Sequence, residues 1–226
     1  MCPIVLDTNN LVRAVLSASG ARRKLLMLLA YGGAVERMSR VREEERAAEE
    51  QKLTVAGVEH ALTDAEAAVA RIAELLPVGI PDGWWALGSP PLLGEYHRKL
   101  HELREKLARP PLTEALVEAA HLAVVGSCGY ITRDFDLDDV PTYTEGRDRD
   151  DDIVIHTAML GRATVLVSDD KRHLSLDPDG TTEYASDDGH VVHAMTFEHF
   201  VRAHLDADLS EIDGSAFQQL FAAGGF

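Results

Sequence analysis

Two hydrophobic periods alternate along this chain, and the change from one to the other marks its elements. Pro3–Leu6 is a compact apolar run of strand length that passes directly into Asp7-Thr8-Asn9. Leu11, Val12, Val15 and Leu16 then recur at helical spacing until Ser17–Gly20 stops the pattern. A strongly apolar helix is predicted over about Arg23–Tyr31, ending at Gly32-Gly33. A short strand at Ala34–Met38 and a long charged helix follow, with most of the charges in solvent-facing i,i+4 pairs. Ala65–Leu76 has the spacing of an amphipathic helix capped by Thr63 or Asp64. Pro77–Gly94, rich in Gly and Pro, reads as a loop or lid in which Trp84-Trp85 pack or stack.

The opening grammar returns late in the chain. Arg147–Leu174 reads as an acidic turn, a short helix in which Val154, Ile155, Ala158 and Met159 share a face, a buried strand Ala163–Val167, and a second acidic turn. Asp151 opens that helix, and Asp170 stands just beyond the strand's carboxyl end, the architectural position of Asp7. Ligands of open α/β sheets bind beyond the carboxyl ends of the strands, which makes these aspartates candidates for a site. Each taken singly also suits a helix cap or a turn. Glu114–Leu137 has the same layout and offers Glu114 and Asp134 as alternatives to Asp151 and Asp170. The later copy differs in having an aspartate at the helix start.

The chain of 226 residues is long enough for one large domain, and its net charge of −16 argues against nucleic-acid binding through a broad basic surface. That charge leaves open binding through metal ions held by carboxylates, because the ions supply positive charge locally. Arg22-Arg23-Lys24 and Lys171-Arg172 are small basic clusters expected on the solvated surface. Cys2 and Cys128 fit neither a disulfide framework nor a zinc-ligand spacing. No apolar run is long enough to span a bilayer and no signal-peptide pattern opens the chain, so a soluble, cytoplasmic protein without a membrane partner is expected.

Three segments together resemble the PIN-domain ribonucleases, which include the VapC-type toxins of toxin–antitoxin pairs. They are IVLDTNNLV at 4–12, DDDIVIHTA followed by VLVSDDKRHL within 150–174, and HVVHAMTFEHFV at 190–201. The last looks like the family's final strand and helix, with Thr196 as cap and Phe197 and Phe200 as anchors. The resemblance implies a three-layer α/β/α sandwich around a central, mainly parallel sheet, with residues 1–226 forming one PIN-like domain that carries an insertion at about 77–146.

Carried over residue by residue, the resemblance makes Asp7 the first acidic position. Glu45 is the second, a helical glutamate following Ser39 and Val41, with Glu44 a close competitor. Asp151 is the third and Asp170 the fourth, with Thr8, Asn9 and Ser168 as polar supports. It implies a Mg²⁺- or Mn²⁺-dependent endoribonuclease that cuts single-stranded RNA. Asp7, Asp151 and Asp170 would be the metal ligands, and Glu45 would help to position a second ion or the attacking water. The implied partners are single-stranded RNA, a basic antitoxin protein and a second copy of the chain. Two other classes stay open: a non-catalytic PIN-like module that binds RNA or protein, and a phosphohydrolase with Asp7 as nucleophile. The latter lacks the second Asp that its pattern needs two residues on, where Asn9 stands.

Overall fold

The computed structural model describes residues 2–17, 20–50, 56–76, 83–106, 112–143, 149–170, 176–205 and 209–217, without side chains at 48–50 and 56–61. Strand β1 (Cys2–Leu6) leads into helices α1 (Thr8–Leu16), α2 (Ala21–Glu50) and α3 (Ala56–Ala73). Strand β2 (Trp84–Gly88) precedes α4 (Pro90–Lys106) and α5 (Glu114–Ser127). Then come β3 (Cys128–Ile131), α6 (Arg149–Leu160), β4 (Val165–Val167), β5 (Thr181–Ala185), β6 (Val191–Met195) and α7 (Phe197–His204). The six strands form one sheet in the order β3-β2-β1-β4-β6-β5, parallel throughout except for β5, which runs antiparallel to β6.

The apolar runs of β1 and β4 have no polar alternation because both faces of these central strands are covered. Ile4, Leu6, Val165 and Val167 join Leu25, Leu29, Tyr96 and Phe200 in one core. Val5 and Leu166 join Trp85, Leu87, Ile155 and Ala158 in the other. Helices therefore lie on both sides of an α/β/α arrangement. None of the described helices is long and apolar enough to cross a membrane.

Several predicted boundaries are corrected. Gly32-Gly33 does not end a helix, and Ala34–Met38 is not a strand; both lie inside α2. The glycines instead let α2 press onto the sheet. A Cβ on Gly32 would sit 1.9 Å from the Trp84 carbonyl oxygen, and one on Gly33 2.7 Å from that of Ser127. Thr63 and Asp64 fall inside α3 rather than capping it.

Trp84-Trp85 are not in a loop or lid. They begin β2, which pairs with β1 in the register Cys2↔Trp84 and Ile4↔Ala86. The stretch predicted as an insertion thus supplies β2, α4, α5 and β3, two of the sheet's parallel strands. At the chain's end, Thr196 does cap α7, accepting from the His199 amide at 3.3 Å, and Phe197 and Phe200 are buried.

Candidate acidic site at the ends of β1 and β4

Because β1 and β4 are adjacent and parallel, the residues that leave them meet at one end of the sheet. Asp7 follows β1 and donates its amide to the Val167 carbonyl at 3.0 Å, extending the ladder by one step. Its side chain makes no cap bond to α1. The carboxylate accepts a hydrogen bond from the Ser168 hydroxyl at 2.8 Å, and the same hydroxyl accepts the Asp170 amide at 3.0 Å. One serine thus ties the first acidic position to the last, and the Asp170 field reaches Asp7.

A third carboxylate arrives from α4. Glu95 is buried, its charge is felt with that of Asp150 from the first turn of α6, and the Thr8 hydroxyl faces it without a well-aligned hydrogen bond. Lys99, one turn on, places its ammonium 2.5 Å from Glu95 Oε1. Burial raises the pKa of Asp7 above the ordinary carboxylate value; the Ser168 hydrogen bond, Lys99 and the Asn9 amide oppose it, and Asp170 adds to it. Burial likewise raises Glu95 against the opposing pull of Lys99, with Asp150 adding to the rise. Burial alone would lower Lys99, yet its bond to Glu95 and the fields of Glu95, Asp7 and Asp150 outweigh that and raise it. The Lys99 ammonium therefore sits among carboxylates from the end of β1, α4 and α6.

The neighbouring residues hold this frame. Asp169 accepts from the Phe197 amide at 3.2 Å, pairs with Arg13 at 3.0 Å and also pairs with Arg22. Asn10 is buried, donating to the Val167 carbonyl at 3.2 Å and accepting from Arg22 Nε at 2.7 Å. Arg23 donates to the Ala14 carbonyl at 2.9 Å. The expected solvated cluster of Arg22 and Arg23 is thus partly buried structure that locks α1, α2 and the end of β4 together. Asp152 accepts the Tyr143 amide at 2.9 Å, so it serves the loop before α6. Lys171 and Arg172 lie outside the described residues.

The structure brings together some of the expected residues and not others. Asp7, Thr8, Ser168 and Asp170 converge, and Asp151 stands half-buried on the first turn of α6, beside Asp150. The Asn9 backbone amide lies near enough to favour the charged form of Asp7 without closing a cap bond, while the Asn9 side chain is exposed; the buried asparagine is Asn10. Glu44 and Glu45 are not at the site. Arg22 of α2 meets Asp169, and Glu45 lies 23 residues further along the same helix, roughly 35 Å at 1.5 Å per residue.

Glu95 of α4, rather than Glu44 or Glu45, is the glutamate that reaches this end of the sheet. Its signal was present in the sequence, since Ser89 and then Leu92-Leu93 lead into it, whereas Arg42-Glu43 precede the other pair. The earlier copy of the motif lies apart: Glu114 pairs with Arg104, and Asp134 accepts the Phe135 amide at 3.0 Å beyond β3, the edge strand two places from β1.

The donor set is all oxygen, which suits a hard divalent cation. Buried Glu95 and the Thr8 hydroxyl face each other without a well-aligned hydrogen bond, which leaves oxygen lone pairs for a further ligand. Comparison with protein-family models, curated proteins and solved structures finds no match to this chain.

Proposed function

We propose that this protein is a Mg²⁺- or Mn²⁺-dependent endoribonuclease of PIN type acting on single-stranded RNA. The observation that carries the reading is the convergence of Asp7, Glu95 and Asp170 at the end of two adjacent parallel strands, with the charge of Asp150 from the first turn of α6 reaching Glu95. Carboxylates raise one another's pKa at such range, and a fold gains nothing from gathering them unless a cation or a proton is to be held there.

In this reading Asp7, Asp170 and Asp151 would hold the ion, with Glu95 beside them. A bound Mg²⁺ or Mn²⁺ supplies Lewis-acid stabilisation of phosphate oxygens and a more acidic water. The chain's own residues do the rest. The Ser168 hydroxyl keeps the Asp7 carboxylate oriented and fixes the Asp170 backbone. Lys99 compensates Glu95 and its neighbouring carboxylates, and with an ion bound among them its ammonium would be available to a phosphate of the RNA backbone. A toxin role, with a basic antitoxin or a second copy as partner, follows the same resemblance.

A second reading rests on Lys99 itself. An ammonium 2.5 Å from Glu95 already supplies the cluster with a cation, as a metal-free PIN-like binding module would need. Incubation of the purified protein with mixed-sequence single-stranded RNA in Mn²⁺, Mg²⁺ or EDTA separates the two. Metal-dependent cleavage that disappears in Asp7→Asn supports the nuclease. Metal-independent RNA retention without cleavage supports the binding module.

A further inference from the structure

Helix α4 presents a second set of ligating groups on the side away from the acidic crevice. His97 and His101 stand two and six residues after Glu95, about 200° and 240° around the helix, and both face α5 rather than the strand ends. Across from them, Glu118 Oε1 of α5 lies 2.9 Å from His97 Nε2 and 3.9 Å from His101 Nε2, and the two imidazole nitrogens are 3.2 Å apart. These three ligand atoms lie within 4.8 Å of one another.

We propose that His97, His101 and Glu118 form a binding site for a divalent cation of the zinc class, separate from the oxygen-lined crevice. The geometry is close to what such an ion requires. Tetrahedral Zn²⁺ with bonds of about 2.1 Å to nitrogen and oxygen has ligand–ligand edges of about 3.4 Å. The observed separations of 2.9, 3.2 and 3.9 Å straddle that length. Two imidazoles and one carboxylate favour Zn²⁺, Co²⁺ or Ni²⁺ over the hard Mg²⁺ that an all-oxygen set takes.

The side chains of His97, His101 and Glu118 are 33%, 28% and 49% exposed, so an ion has access from solvent. His121 of α5 offers a fourth ligand. Its ring centroid is 4.6 Å from that of His97, and its buried Nδ1 has no hydrogen-bond partner among the described residues. The ion would clamp α4 to α5 and so steady the helix that carries Glu95 and Lys99. The inference stands independently of the nuclease reading, because it uses none of the crevice carboxylates.

The test is titration of the tag-free, full-length protein with Co²⁺ alone, followed by its visible ligand-field absorption. The expected result is the intense spectrum of low-coordinate Co²⁺, abolished by Zn²⁺, retained in Asp7→Asn, and weakened by roughly 100-fold or more in affinity in His97→Gln and in His101→Gln, since even outer-shell losses weaken metal sites 10–100-fold. Glu118→Gln, from the opposite helix, gives the same readout if either histidine variant fails to fold. The site is refuted if wild type gives no such spectrum, if the spectrum survives all three substitutions, or if it disappears in Asp7→Asn.

Discussion

Lys99 Nζ sits 2.5 Å from Glu95 Oε1, with the Glu95 side chain 5% exposed and that of Lys99 26% exposed, inside a cluster that also feels Asp7 and Asp150. The chain thus carries its own counter-ion. Breaking a buried pair from one side leaves an uncompensated charge and costs about 3–5 kcal/mol when both partners are fully buried. Lys99→Met should cost less, on the order of 2 kcal/mol, because the ammonium is partly solvated. Thermal unfolding with and without Mn²⁺ is the measurement. The variant should unfold at lower temperature in EDTA and recover more than wild type when Mn²⁺ is added. An unchanged EDTA midpoint would remove Lys99 from its compensating role.

Asp7 should behave oppositely. Burial holds its folded pKa above the ordinary value of 3.8, so the folded chain binds this proton more tightly than the unfolded chain does. A raised carboxyl contributes stability that is fully present below the unfolded pKa and is lost as pH rises through the folded one. Asp7→Asn keeps a neutral group of similar shape, so it should match wild type in stability at acid pH and exceed it at neutral pH. Denaturant titrations at several pH values would show the gap opening as pH rises; a gap that narrows would contradict the raised pKa. The same variant should lack all metal-dependent RNA cleavage.

Glutamate substitutions separate the two candidate second positions. Glu95→Gln should reduce cleavage by at least about 100-fold, the scale on which positioned catalytic groups act. Glu44→Gln and Glu45→Gln, far along α2, should leave the rate unchanged. Among the aspartates, Asp170→Asn should abolish cleavage and Asp134→Asn should not. Full activity in Glu95→Gln, or loss in Asp134→Asn, would move the site elsewhere.

Two glycine substitutions contrast the tight contact of α2 on the sheet with an open position on α4. Gly32→Ala drives a methyl into the Trp84 carbonyl at 1.9 Å and should destabilise by about 2–3 kcal/mol, within the range for overpacking a tight contact. Gly94→Ala, in α4 with nothing within 4 Å of the new Cβ, should stabilise by about 1 kcal/mol through helix propensity alone. Urea midpoints measured side by side should move in opposite directions.

The sequence by itself determined what local pattern encodes. The unbroken apolar runs of β1 and β4 announced strands covered on both faces, and the aspartates just past them marked the sheet's carboxyl edge. Thr196 and its two phenylalanines marked helix α7. All of these depend on residues within a few positions of one another, where side-chain period and cap chemistry act directly.

Tertiary structure decided the rest. Gly32-Gly33 looks like a stop until Trp84 and Ser127 come close enough to need the missing side chains, and then it becomes the groove that carries α2 across the sheet. Trp84-Trp85 look like a loop until β1 offers them a ladder. Glu45 and Glu95 each stand six residues after a serine. Strand order and the direction of α2 send one about 35 Å along a helix and set the other beside Thr8. Which carboxylate joins a site depends on contacts between segments far apart in sequence, and no local period records those.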